Sequence, residues 1–247
     1  MRYFLELSYD GTNYHGWQRQ PNAISIQEVL EDSLSTLLRG NVAIVGAGRT
    51  DTGVHAKQIM AHFDHFEELD TAQLRYKLNS ILPVDIAIHK VYLVREDAHA
   101  RFDAISRSYE YYVNLSKDPF GVDKSYYYKK TLNVDAMNEA AKLLLNYTNF
   151  KCFSKSKTDV KTYNCTITNA VWENCGDQLV FKISANRFLR NMVRAIVGTL
   201  IEIGENKLNK EGLLAIIKSE DRSKAGYSVP AHGLYLTAVE YPQKIVE

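Results

Sequence analysis

The order in which hydrophobic periodicity switches along this chain is what most limits its fold. It reads strand, helix, strand, strand, helix, strand, and then repeats. In RYFLELSYD, Tyr3, Leu5, Leu7 and Tyr9 alternate on one strand face. SIQEVLEDSLSTLLRG opens with Ser25 and Glu28 as a capping box. It then sets Ile26, Val29, Leu30, Leu34, Leu37 and Leu38 at helical spacing and stops at Gly40. VAIVGA and KQIMAHF read as strands, DTAQLRYKLNSIL as a helix begun by Asp70 and ended before Pro83, and VDIAIHKVYLV as a closing strand.

The second half begins with the strand RSYEYYVNL, with Tyr109, Tyr111, Val113 and Leu115 on one face, and the helix NVDAMNEAAKLLLNY. The strands TITNAVWEN and DQLVFKISA follow, turning at Gly176 and Asp177. The helix RFLRNMVRAIVGTLIEIG, the extra helix NKEGLLAIIKSE and the strand GLYLTAVEY complete the round. Such a unit buries one sheet face under its helices. Two in tandem predict an α+β fold of two ferredoxin-like lobes with mostly antiparallel sheets and a central cleft. The seam falls in REDAHARFDAIS, giving lobes over residues 1–104 and 105–247.

Composition narrows the function less. With 30 Lys and Arg against 29 Asp and Glu, the net charge is +1, so any nucleic-acid partner has to be met by a local cluster. KCFSKSKTDVK supplies Lys151, Lys155, Lys157 and Lys161 against one Asp, although as a charge run alone it reads as a solvated loop. Cys152, Cys165 and Cys175 have neither disulfide nor zinc spacing, and His62 and His65 read as polar positions on a half-exposed strand, so no metal is expected. No window approaches a membrane span, and MRYFLELSYD lacks the core of a signal peptide, so the expected location is cytoplasmic.

The densest chemistry is GAGRTDTGVHA. Asp51-Thr52-Gly53 spells the aspartic protease triplet, but a second copy is absent and Arg49 opposes the shared proton such a dyad needs. The bland alternative is a tight turn capped by Asp51. Against it stand Arg49, Thr50, Thr52 and His55 around the same turn, with Gly46, Gly48 and Gly53 allowing close approach of a ligand. On the long helix, Leu189, Met192, Val193, Ile196, Leu200 and Ile203 form one face. Arg187, Arg190 and Arg194 gather opposite with Gly198, either as a solvated face or as a phosphate or carboxylate site. Arg107, Tyr109 and Tyr111 share a strand face, which suits core packing or the stacking of single-stranded bases.

Together, GAGRTDTGVHA, HARFDAISRSYEY, FLRNMVRAIVGTL and PAHGLYLTAVEY, with YDGTNYHGWQRQ near the start, resemble the bacterial tRNA pseudouridine synthase A family from about Tyr3 to Pro242. Departures are small: Thr52 for a usual Ala, Ala98 for a common Phe, Asn191 for a frequent His. The resemblance implies an isomerase that converts uridine to pseudouridine at positions 38–40 of the tRNA anticodon stem-loop, without cofactor or metal, as a homodimer. It implies Asp51 as nucleophile or base, Arg194 as its cationic partner, and Tyr109 stacked on the uracil and relaying the C5 proton. Arg49 would help turn the nucleotide out, and Leu234 would form an apolar wall. The rest of the implied substrate surface is Thr50, Thr52, His55, Arg101, Arg107, Tyr111, Arg187 and Arg190, with Arg19 and Lys155 on phosphates. Attack on uracil C6, attack on ribose C1′ and abstraction of the 2′ proton all use an ionised carboxylate in one place.

Overall fold

A computed structural model describes residues 1–156 and 160–245; Lys157 lies outside the described residues. The chain is α+β, with nine strands and five α-helices among the described residues and mostly antiparallel pairing. It forms two compact units, Met1–Ser106 with Tyr235–Glu247, and Arg107–Leu234.

In the first unit β1 (Arg2–Tyr9) lies between β3 (His55–Asp64) and β4 (Ile86–Val94), antiparallel to both. Leu5 faces Ala61 on one side and Val91 on the other. Tyr3, Leu5, Leu7 and Tyr9 are all buried as the alternation predicts, and Phe4 on the opposite face is buried as well, against Tyr92 and Tyr241. Helices α1 (Ile26–Leu38) and α2 (Thr71–Ile81) contribute Leu30, Leu34, Leu74 and Leu78 to the core. Ser25 caps α1 by accepting the Glu28 N–H, and Asp70 caps α2 by accepting that of Gln73. The left-handed residue ending α1 is Arg39, φ 52°, one residue before the glycine expected there.

The strand expected over VAIVGA shortens to β2 (Val45–Gly46), paired with β3. The cause is local. Ser35 Oγ accepts the Val42 N–H at 3.0 Å and Glu31 Oε1 the Ile44 N–H at 3.1 Å, so side chains of α1 satisfy donors that a ladder would otherwise take. The last strand, β9 (Leu234–Glu240), runs parallel to β3, with His55 opposite Tyr235.

In the second unit β8 (Gln178–Ala185) lies between β5 (Ser106–Asn114) and β7 (Ile167–Cys175), antiparallel to both. The two-residue β6 (Tyr126–Tyr127) runs parallel to the end of β5. Tyr111 faces Phe181 across the ladder, and both are fully buried. Helix α3 (Val134–Leu143) packs on β7, α4 (Met192–Gly204) and α5 (Lys210–Ser219).

Helix α4 corrects the sequence reading. It begins at Met192, because Asn191 sits in the left-handed region at φ 66° and ends any helical path from Arg187. Arg187 and Arg190 therefore precede the helix and share no face with Arg194. The face holding Gly198 is not solvated either: a Cβ there would stand 1.8 Å from the Tyr227 carbonyl oxygen.

Candidate active site

Asp51 opens the turn that leads into β3. Its carbonyl accepts the Val54 N–H at 3.1 Å, with Gly53 third in the turn at φ 76°, a backbone conformation that only glycine adopts freely. The segment from Asp10 to Trp17 braces this turn. Tyr14 O accepts the Gly53 N–H at 3.3 Å, Thr50 O accepts the Trp17 N–H at 3.3 Å, and the Tyr9 hydroxyl and Thr50 Oγ1 lie 2.8 Å apart. The fit is close enough that a Cβ on Gly16, itself at φ 87°, would meet Thr50 O at 2.3 Å. Tyr14 is tied in turn to Asp85 through its hydroxyl at 2.6 Å.

Asp51 is half-buried and Thr52 exposed, so the first turn residues face outward from a braced backbone. Arg49 is exposed and carries no hydrogen bond or ion pair among the described residues. The three glycines differ in use. Gly46 lies against the Trp17 ring and Gly53 supplies the positive φ, while Gly48 has nothing near it.

His55, expected to face substrate, is instead 2% exposed. Its Nδ1 accepts the Gly11 N–H at 3.0 Å and lies 3.0 Å from Asp10 Oδ1, and its ring stacks on Tyr235 at 4.5 Å. At the start of β3 it turns inward, where it ties the bracing segment to the strand. Arg19 is also engaged. Its guanidinium stands 3.2 Å from Glu31, 3.6 Å from Glu28 and 3.7 Å from Asp32, all on α1, and the Glu31 hydrogen bond raises its pKa. Arg101 is exposed, 5.7 Å from the ring of the equally exposed Phe102.

His62, read as half-exposed, is buried at 5% exposure, with Nδ1 accepting the Ala100 N–H at 3.1 Å. Burial, then the Arg2 charge, lowers its pKa to about 4. It thus anchors the loop that carries Arg101. Among the described residues, His65 bonds within its own turn and to Met1. Among the described residues no group of three or more His, Cys, Asp or Glu is placed to hold a metal ion.

In the second unit, the stretch from Asn186 to Arg190 collects most of the other candidates. Arg107 Nη1 donates to Asn186 O at 2.8 Å, and Tyr109 meets Phe188 edge-on at 5.1 Å. The Lys155 N–H donates to Arg190 O at 3.0 Å, so the main chains of two basic residues 35 positions apart meet here. Arg187 has no hydrogen bond or ion pair among the described residues.

Tyr111, expected on the substrate surface, is 0% exposed, and its hydroxyl donates to Pro230 O at 2.9 Å. It supports the segment leading into the buried Leu234. Arg194, on the first turn of α4, donates from Nε to Val229 O at 2.7 Å.

Sequence reasoning missed the groups around that contact, namely Arg222, Ser228 and the role of Asn191. The one available signal was a pair of glycines, Gly198 in an otherwise apolar helix and Gly226 in the later loop.

The chain is similar to known proteins along most of its length. The family model described as tRNA pseudouridine synthase matches residues 7–103 and 140–242. The chain is 53% identical over 247 residues to tRNA pseudouridine synthase A of Bacteroides thetaiotaomicron, covering 99% of this chain and 92% of that one. It is 40% identical over 239 residues to tRNA pseudouridine synthase A 2 of Clostridium perfringens, covering 96% and 98%. A further relative, tRNA pseudouridine synthase A of Thermoanaerobacter sp., is 38% identical over 239 residues, covering 96% and 98%. The chain belongs to the tRNA pseudouridine synthase family, whose members isomerise uridine to pseudouridine in tRNA.

Proposed function

We propose that this enzyme acts at positions 38–40 of the tRNA anticodon stem-loop, with Asp51 as the nucleophile or base. The reaction is a net isomerisation. The bond from uracil N1 to ribose C1′ breaks, the detached base turns, C5 bonds to C1′, and the C5 proton is lost while N1 gains one. Such chemistry takes a carboxylate that stays ionised and a target nucleotide turned out of its stack. The observation that carries this reading is the braced turn. Asp51 heads it, its backbone held from Tyr9 to Trp17, with the exposed and unengaged Arg49 two residues before.

Arg194 would keep the carboxylate charged, and Tyr109 would stack on the uracil and accept the C5 proton. Leu234 would wall the base, and Arg49 would take the phosphate of the turned-out nucleotide. Arg107, Arg187, Arg190 and Lys155 gather on one stretch of the second unit and would grip backbone phosphates. Thr50 holds the backbone of the Asp51 turn, and Tyr111 that of the segment leading into Leu234. The setting is the cytoplasm, and the working form is a homodimer able to present cationic surface from two copies to one tRNA.

The test is tritium release from tRNA labelled at uridine C5, with wild type beside Asp51→Asn. Release by wild type alone, with the variant still binding tRNA, is expected. Undiminished release by the variant overturns the role of Asp51. Binding without release by either protein points instead to a non-catalytic RNA-binding module.

A further inference from the structure

The segment from Ala225 to Pro230 belongs to no helix or strand, yet it is strapped to α4 along its length. Gly226 N–H donates to Thr199 Oγ1 at 2.9 Å, and that hydroxyl donates to Ala195 O at 2.8 Å. Gly198 leaves the space the Tyr227 carbonyl occupies. Arg222 closes over the strap from outside. Its Nη1 donates to Gly226 O at 3.0 Å and Ala225 O at 3.3 Å, and its Nη2 to Ser228 Oγ at 2.9 Å. Asn191, the left-handed residue before α4, donates from Nδ2 to the same Ser228 Oγ at 2.6 Å.

The next residue is Val229, and it brackets Arg194 twice. Its carbonyl accepts Arg194 Nε–H at 2.7 Å, and its N–H donates to Arg194 O at 3.3 Å. A guanidinium is planar, so fixing Nε fixes the direction of both Nη groups. Ser228 Oγ joins the start of α4 and the Arg222 side chain immediately beside that contact.

We propose that Arg222 and Asn191, acting through Ser228, are positioning residues that aim the Arg194 guanidinium. Neither touches the reacting atoms. Their effect passes through the Val229 carbonyl, and the inference rests on the role given to Arg194 above.

Steady-state tritium release with tRNA tests it. Ser228→Ala should lower kcat by roughly 10- to 100-fold, as a small misplacement of a catalytic group does, with KM for tRNA changed less than about twofold. Ser228→Thr, which keeps the hydroxyl, should recover most of kcat. A purely structural role would instead lower stability to unfolding and leave kcat per folded molecule in place.

If Ser228→Ala does not fold, Arg222→Lys keeps the charge but loses the two-pronged grip, and the same quantities are read. An unmoved kcat in these variants, with the kcat of Arg194→Gln lowered, overturns the inference alone. Full activity of Arg194→Gln overturns the reading beneath it.

Discussion

The Asp51 turn and the Arg194 bracket are built in opposite ways. The turn draws its chemical groups from one short run of sequence, and its partners from Tyr9 to Trp17 act chiefly through backbone atoms. The bracket is assembled from residues 191, 194, 198, 199, 222 and 225–229, and side chains do most of the joining. Backbone bracing tolerates change in side chains but not in the space around the main chain. Side-chain bracing concentrates its sensitivity in a few polar atoms.

Substitution of glycines would break this contrast most sharply. Gly16→Ala and Gly198→Ala each force a Cβ into a carbonyl oxygen, and each should cost about 3 kcal/mol in denaturant unfolding. Gly48→Ala, with nothing near it, should stay within about 0.5 kcal/mol although it lies in the motif that carries Asp51. If Gly48→Ala matched Gly16→Ala, the motif's glycines would be serving a need other than the bracing described.

Acid sharpens the comparison from another side. His62, in the first unit, is held to about 4 by burial. Between pH ~6.5 and that value the unfolded chain binds a proton the folded histidine does not, so stability falls with pH through this window, by up to about 3 kcal/mol. His62→Asn retains an acceptor for the Ala100 N–H and has no proton to gain, so its stability should vary less from pH 7 to 4. The two tryptophans, Trp17 and Trp172, fall one in each unit, and their fluorescence in single-tryptophan variants would show whether the first unit opens earlier in acid.

The smallest effects concern surface arginines. Arg187→Ala should reduce the salt dependence of tRNA binding by a slope of about 0.7–0.9. Arg19→Ala should change it by less than about 0.3, because three carboxylates already surround that guanidinium. Equal slopes for the two variants would remove the distinction between engaged and unengaged cations.

Much of the fold was legible because amphipathic periodicity is a local property. Tyr3, Leu5, Leu7 and Tyr9 alternate in sequence and are buried together, and Ser25 and Asp70 cap the helices they announce. The Asp51 turn was legible for the same reason, since its functional groups are neighbours along the chain.

Helix α4 was misread at its start. Apolar spacing runs unbroken back to Leu189, and only the left-handed backbone of Asn191 interrupts it. Periodicity carries no trace of one φ angle. The motifs predict substrate contacts at His55 and Tyr111 because polar groups in a motif look alike whether they face in or out. Their inward direction follows from Asp10, Gly11 and Tyr235 in one case and Pro230 in the other.

The sequence by itself determined the order of elements, the chemical character of the turn and the family. Only the tertiary structure decided which cations are already engaged and what aims Arg194. Arg222 and Val229 are distant from it in the chain, and no local rule of spacing or propensity couples residues that meet only after the helix and loop have packed.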